Sequence, residues 1–392
     1  MGSFAFVTWE GGGNVGPAIG IAQELAARGH SCRFLGYERQ REPIEGQGLA
    51  FRQLARGGTF DRHGLAGEQL LAGLVGRIWA CSDHLQDLAD AVEAEATDVL
   101  VIDCMMDGAL AAAERLPVVA VALVHSVVAG LIGPADSPTV KARFAGALAL
   151  RAAAALRPVG RHRETWDRLP TLVTTIRELD AEAGTMGPNV RYVGPIRERF
   201  ERATWASPWK ADDERPLVVV SFSTTQIWDQ RGRIERTLAA LAKEPVRVLV
   251  SGPHGLDIPL PANAVAARFI PHELVLPSAA AMVTHCGHGT IATSLDHGVP
   301  VVGLPNKAAD QPYLAKRIEQ LGAGIALDGE APAGQIREAV RAAIDDPRYR
   351  DAARALGAAI HKAPGVSGAA EELEKVAGAI ARSDLLEKVL ER

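Results

Sequence analysis

Apolar residues follow two alternating rhythms along the chain: short unbroken runs rich in Val, Ile and Phe, and longer stretches with helical spacing. Phe4 to Thr8 is a run of the first kind. Gly11-Gly12-Gly13 interrupts it, Pro17 to Arg28 resumes with a helical period, Gly29 stops the helix, and CRFLGY from Cys32 gives a second strand. Strand, helix, strand is the building block of parallel sheets, because parallel neighbours need a long crossover between them. The alternation continues with helices at Gln69 to Trp79 and Leu85 to Ala96, a strand at Val99 to Ile102, a helix at Gly108 to Leu116 and a strand at Val118 to Leu123. Ala145 to Leu156 is rich in Ala and Leu and reads as a helix, a natural wall for a cleft. Thr204 to Arg215 holds Pro208, Trp205, Trp209 and a cluster of charges without an apolar period, the signature of a linker. A second series follows, with strands at Leu217 to Phe222, Val246 to Ser251, Val265 to Phe269, Ala281 to Thr284 and Pro300 to Leu304. The pattern predicts an α/β protein of two doubly wound, Rossmann-like domains, 1–203 and 216–392, joined by 204–215, with the last helix free to pack back on the first domain. Open parallel sheets bind ligands beyond the carboxyl ends of their strands, so the functional site is expected in the cleft between the two.

Length agrees with two domains, since 392 residues exceed what one core serves, roughly 250–300. With 47% hydrophobic and 23% charged residues and a net charge of -5, the composition is globular and offers no broad positive field for nucleic acid. Leu116 to Gly133 is nearly uncharged, but Pro117, His125 and the β-branched VVAVALV suit a buried parallel strand better than a membrane span. Cys32, Cys81, Cys104 and Cys286 are widely spaced, without CxxC or metal-ligand spacing, and MGSFAFVTW enters a strand with no export signal. Free thiols and a cytoplasmic location are the expectations.

The chemistry concentrates in VTHCGHGTIATSLDHGVPVVGLPNKAADQPYLAKRIEQLGAGIAL, Val283 to Leu327. A strand ends at Thr284, a turn with Gly287 and Gly289 follows, and Thr290 opens a helix. Small residues let backbone N–H groups approach an anion, and the helix N-terminus adds partial positive charge. His285 and His288 supply side-chain donors at the same point, so a diphosphate is the expected ligand. A glycine turn before a helix is weak evidence alone. The second loop strengthens it: PVVGL leads through Pro305-Asn306-Lys307 to Asp310-Gln311, which can accept from and donate to vicinal sugar hydroxyls.

This segment resembles the C-terminal signature of family-one glycosyltransferases, the two-domain GT-B enzymes, and in particular the bacterial ones that decorate polyketides and other natural products. The resemblance covers the histidine and two glycines, Gly298 to Pro300, Asp310-Gln311 and Gly322-Ala323-Gly324, and extends to SFSTT from Ser221, FIPH from Phe269, VRYVGP from Val190 and the first GxxxP turn with its RGH. It implies that His285 and the amides after it, Gly287, His288, Gly289 and Thr290, bind the donor diphosphate, with Ser223 and Thr224 facing them. It further implies that Phe269 to His272 clasps the nucleobase and that Asp310 and Gln311 hold the sugar. The donor would be a dTDP- or UDP-sugar acting as co-substrate, the acceptor a hydrophobic small molecule, and the enzyme a monomer or homodimer. His30 and His297 read as structural residues at helix ends instead, and His254 as an exposed residue of the loop SGPHG.

One departure stands out. The family's first turn carries a histidine that takes the acceptor's proton and is oriented by an aspartate from a later strand. Here the turn is GGGNVGP, which puts Asn14 in the histidine's place, and an amide takes no proton near neutral pH. The partner aspartate falls on Asp103, which desolvation could raise into a base. His125, at the end of VVAVALV on the same sheet edge, is the second candidate, and Asp107 and Glu10 rank lower. The expected reaction is inverting glycosyl transfer, and the lack of a DxD sequence predicts that no metal is needed. C-glycosylation of an aromatic acceptor, sugar-nucleotide epimerisation and a non-catalytic partner protein remain as alternatives.

Overall fold

The computed structural model describes the chain except residues 62–63, 66, 162, 199–203, 223–229, 253–256, 269, 308–309 and 391–392; over 380–390 the description is of the backbone. Two sheets carry the fold. The first contains β1 (Ser3–Val7), β2 (Ser31–Gly36), β3 (Ala50–Gln53), β4 (Val99–Asp103), β5 (Val119–Val124), β6 (Thr171–Val173) and β7 (Val190–Tyr192), in the order β3-β2-β1-β4-β5-β6-β7. The second contains β8 (Leu217–Ser221), β9 (Arg247–Ser251), β10 (Ala264–Ala267), β11 (Ala279–Thr284), β12 (Val301–Gly303) and β13 (Gly324–Ala326), in the order β10-β9-β8-β11-β12-β13. Every strand pair is parallel. The chain order reverses between β1 and β4 in one sheet and between β8 and β11 in the other, and doubly wound sheets bind ligands at such switch points.

Parallel strands covered by helices on both faces need apolar side chains on both, which is why VLVID in β4 is buried throughout and contains no alternation. The two faces of the first sheet form separate cores. One gathers Val7, Trp9, Leu100, Ile102, Met105 and Trp79; the other gathers Phe4, Phe6, Ile21, Leu25, Phe34 and Val101. This second face is closed by the helix Gly365–Leu390, whose Ala369, Ala370 and Leu373 are fully buried in it. Arg28 and His30, at the end of the first helix, hold Glu374 of that closing helix at 3.0 and 2.9 Å.

Several elements differ from the sequence expectation. The helix placed at Gly108 to Leu116 runs Asp107–Ala113, and the one placed at Ala145 to Leu156 begins at Pro138, the first-turn position where a missing N–H costs nothing. The stretch ending at Trp79 is not uniform: an α-helix covers Gly67–Leu74 and a π-helical turn covers Val75–Trp79. Strands β3, β6, β7 and β13 lack a run long enough to announce them and exist through pairing at the sheet margins. No helix among the described residues is long and apolar enough to cross a membrane, and all four cysteines are free thiols.

Candidate active site

At the switch point of the first sheet, β1 leads into the glycine turn, β4 ends at Asp103, and β5 leads to His125. The parallel register pairs Asp103 with Leu123, which brings the residue two further on beside the carboxylate. Asp103 is buried there with both oxygens satisfied. Oδ1 accepts from Trp9 Nε1 (3.2 Å) and the Met105 amide (2.9 Å), and Oδ2 accepts from Asn14 Nδ2 (2.9 Å). The fourth partner is His125 Nδ1, 3.0 Å from Oδ2; the Asp103 side chain retains 1% exposure and the His125 ring 13%.

This arrangement corrects the expectation of a carboxylate raised by desolvation. Burial does push Asp103 upward, but the charge on His125 and the hydrogen bonds from His125, Asn14 and Met105 outweigh it and hold the group below the ordinary aspartate value. A depressed carboxylate with four donors is a poor proton acceptor. His125 is moved the other way: burial opposes its charged form, yet the negative charge of Asp103, with Cys104 at 3.8 Å and the hydrogen bonds, raises it well above the usual histidine value. A carboxylate only accepts, so Nδ1 carries the proton and the neutral ring keeps its lone pair on Nε2. The charge on His125 is also felt at His288 and Asp310, so the ring stands close to the second half of the chain.

Asn14 is 3% exposed and fully engaged. Its amide donates to the Trp9 carbonyl (2.8 Å) and to Asp103, while its oxygen accepts from the Gly11 amide (2.8 Å). It therefore fixes the glycine turn and the carboxylate together. Asp107 is spoken for by the buried Arg143, at 2.8 Å, and Arg143 also donates to the Cys104 carbonyl, which pins the Asp103–Asp107 loop. Trp9 and Trp79 meet edge to face at 6.2 Å, with Phe60, Leu71, Leu74 and Val75 packed against the same cluster. That is an apolar wall next to the Asp103–His125 pair.

At the other switch point, β11 delivers Thr284 and His285 into a turn that Gly287 closes as N-cap of the helix His288–Asp296. No side chain caps this helix, and its first internal bond runs from the Ile291 amide to the Gly287 carbonyl. The amides of His288, Gly289 and Thr290 are thus the uncommitted donors of a helix N-terminus. A Cβ at Gly287 would lie 2.6 Å from His285 Nε2, so glycine is what lets the ring lie over the turn. Cys286 between them adopts φ +65°, the left-handed region that costs a branched or bulky residue most. Burial, aided by the nearby Arg233, pushes His285 down to about 4, and burial together with the charge of His125 pushes His288 to about 3. Both are neutral N–H donors at physiological pH, an arrangement that can receive an anion.

Of the remaining predicted residues, Asp310 is the N-cap residue of the helix Gln311–Gln320 and accepts a 2.7 Å bond from Ser126 of the first half. Gln311 turns its oxygen to the Asn306 amide (3.1 Å), bracing the preceding loop, and Asn306 accepts in turn from Arg233 at 2.5 Å. His272 begins the short helix His272–Val275, and burial lowers its pKa. His30 accepts from the Gly2 amide, and His297 is the C-cap of the helix His288–Asp296. Ser223, Thr224, Phe269 and His254 lie outside the described residues. Ser126, the partner of Asp310, is not among the predicted residues, because nothing in its spacing ties it to a position 184 residues away. Asp103, Cys104 and His125 present ligand atoms within 4.8 Å of one another, the one such group found among the described residues. The four donors on Asp103 make it a hydrogen-bonded pair with histidine rather than an open ligand set.

Comparison with known proteins gives the chain its relatives. Residues 235–376 match the family described as erythromycin biosynthesis protein CIII-like, C-terminal domain. The chain is 30% identical over 399 aligned positions to 4'-demethylrebeccamycin synthase of Lentzea aerocolonigenes, covering 89% of this chain and 94% of that one. It is 27% identical to demethyllactenocin mycarosyltransferase of Streptomyces fradiae, covering 95% and 86% of the two chains. Among solved structures, it is similar to the calicheamicin glycosyltransferase CalG4, with a TM-score of 0.77, 25% identity and coverage of 97% of this chain and 100% of that one.

Proposed function

Because the chain belongs to the family-one GT-B glycosyltransferases, in their bacterial natural-product branch, we propose that it moves a sugar from a dTDP- or UDP-sugar to a hydrophobic natural-product acceptor, with His125 as the base. The observation that carries this reading is the buried Asp103–His125 pair at 3.0 Å, in which the ring alone keeps exposure. The acceptor hydroxyl attacks the anomeric carbon from the face opposite the leaving group. A carbon–oxygen bond forms, the bond to the diphosphate breaks, and the hydroxyl proton passes to His125 Nε2. His285 and the amides of His288 to Thr290 receive the charge that builds on the departing diphosphate, and donors fixed in advance stabilise it without reorganisation. Asp310, with the amide of Gln311, faces the sugar. The reaction inverts the anomeric centre and needs no divalent metal, a reading supported by the helix N-terminus and two imidazoles supplying the anion's partners.

Relatives bearing such names as demethyllactenocin mycarosyltransferase and TDP-daunosamine transferase support the donor and acceptor classes. The Trp9–Trp79 wall beside the base supports an apolar aglycone. The test is release of nucleoside diphosphate from dTDP- and UDP-sugars against a panel of aromatic and macrolide aglycones, with and without EDTA. Turnover is expected only with acceptor and equally in EDTA, and His125→Ala should lower kcat by roughly 10²–10⁴, the usual share of a general base. A His125→Ala enzyme as fast as the parent would remove His125 from the mechanism.

A further inference from the structure

Three residues on one side of the helix Gln311–Gln320 reach across to the first half of the chain. Asp310, at its N-cap, accepts from Ser126 Oγ at 2.7 Å; the Tyr313 hydroxyl accepts from the Ala181 amide at 2.7 Å; and Arg317 donates to the Glu178 carbonyl at 2.7 and 3.0 Å. Positions 310, 313 and 317 follow the i, i+3, i+7 spacing of a single helix face. Tyr313 and Arg317 grip backbone groups, which any side chains at 178 and 181 would present. Ser126 is different, because it grips a side chain that the site uses.

Ser126 is itself held firmly. It is 1% exposed and follows His125 directly. The next turn, Val128–Ile132, has its first two amides capped by Asp180 at 2.7 and 3.2 Å, and Asp180 is steadied by the Tyr192 hydroxyl at 2.9 Å. Gly130 brings this turn against the Asp310 backbone so closely that a Cβ there would sit 2.9 Å from both Asp310 Cα and Cβ. The Asp310 carboxylate is thereby located by a rigid turn of the first half. One oxygen, Oδ2, is committed to Ser126, which fixes the direction in which Oδ1 presents its lone pairs.

We propose that Ser126 is a positioning and specificity-determining residue for the donor sugar: through Asp310 it sets which sugar hydroxyl the carboxylate can accept from. The inference rests on the reading of Asp310 as a sugar-facing group. Discrimination of this kind follows from buried polar groups, which lose more when a hydroxyl is missing or misplaced than they gain when it is present. Because Ser126 adjoins His125, the same short segment would align the proton acceptor and the sugar.

The test compares binding of dTDP and dTDP-glucose, and of UDP and UDP-glucose, to the full chain by calorimetry, with no acceptor and no turnover. For the pair that binds, Ser126→Ala should weaken the sugar nucleotide about 10-fold while leaving the nucleoside diphosphate unchanged, and Ser126→Thr should restore it. Gly130→Ala, which displaces the turn from Asp310, should show the same selective loss. If Asp310→Ala loses the sugar's contribution and Ser126→Ala does not, the inference fails while the reading of Asp310 stands. If neither loses it, both fail. Equal weakening of nucleotide and sugar nucleotide by Ser126→Ala would reduce Ser126 to a general contact between the halves and overturn the proposal.

Discussion

A histidine at position 14 would compete with His125 for one carboxylate. Asn14 instead donates to Asp103 at 2.9 Å and carries no charge, so it holds the carboxylate while leaving it free to polarise His125. The pH dependence follows from the directions of the two shifts. A base works deprotonated, and His125 lies well above its ordinary value, so kcat/KM should keep rising with pH past about 6.5, the unperturbed histidine value. Replacing the carboxylate in Asp103→Asn removes the larger of the two influences that oppose burial, leaving Cys104, and burial disfavours the imidazolium. The rising limb should then move to lower pH and the plateau should fall; identical limbs in both enzymes would rule out His125 as the titrating group. The absence of a histidine at 14 is legible from the sequence, and so is the sheet edge shared by Asp103 and His125. Their pairing is not, because it depends on the register that sets Asp103 against Leu123 and on the donors that depress the aspartate.

The turn between β11 and the helix His288–Asp296 is the element most legible in the sequence, since glycines, a strand run and a helical period bracket it within a few residues. What the sequence leaves open is its charge. Burial keeps His285 at about 4 and His288 at about 3, so what the turn offers an anion is neutral donors and the helix terminus. Affinity for a nucleotide sugar, measured by calorimetry, should therefore be nearly flat between about pH 6 and 8, a range in which an unperturbed imidazole would titrate. His285→Gln, which keeps an N–H donor, should weaken binding much less than His285→Asp, which sets a negative charge at the phosphate. Affinity that follows a group titrating near 6.5 would mean that a protonated imidazole binds the anion. The short margin strands are illegible for the opposite reason: three or four residues such as β6 and β13 carry no period of their own and are strands only because a neighbour is present.

At the scale of the molecule, the two sheets and their switch points are written in the alternation of runs and helices, and the return of the last helix to the first domain is expected with them, whereas the residues it buries there are not. That closing helix is Gly365–Leu390. Leu373 is buried at 0% exposure against the core of the first sheet, so Leu373→Ala should lower unfolding free energy by roughly 2–5 kcal/mol, read from the denaturant midpoint. A loss well below that would mean that this face closes without the helix.

That closing helix also sets an order on the making of the protein. Domains generally fold as units while the chain is still being synthesised, first half first. Here the face of the first sheet that holds Phe4, Phe6 and Phe34, packed with Ile21 and Leu25 of the first helix, lacks its last cover until translation has passed Leu373. The second sheet has all its strands by Ala326, and so can be completed while the first is still waiting. The half that is begun first is finished last.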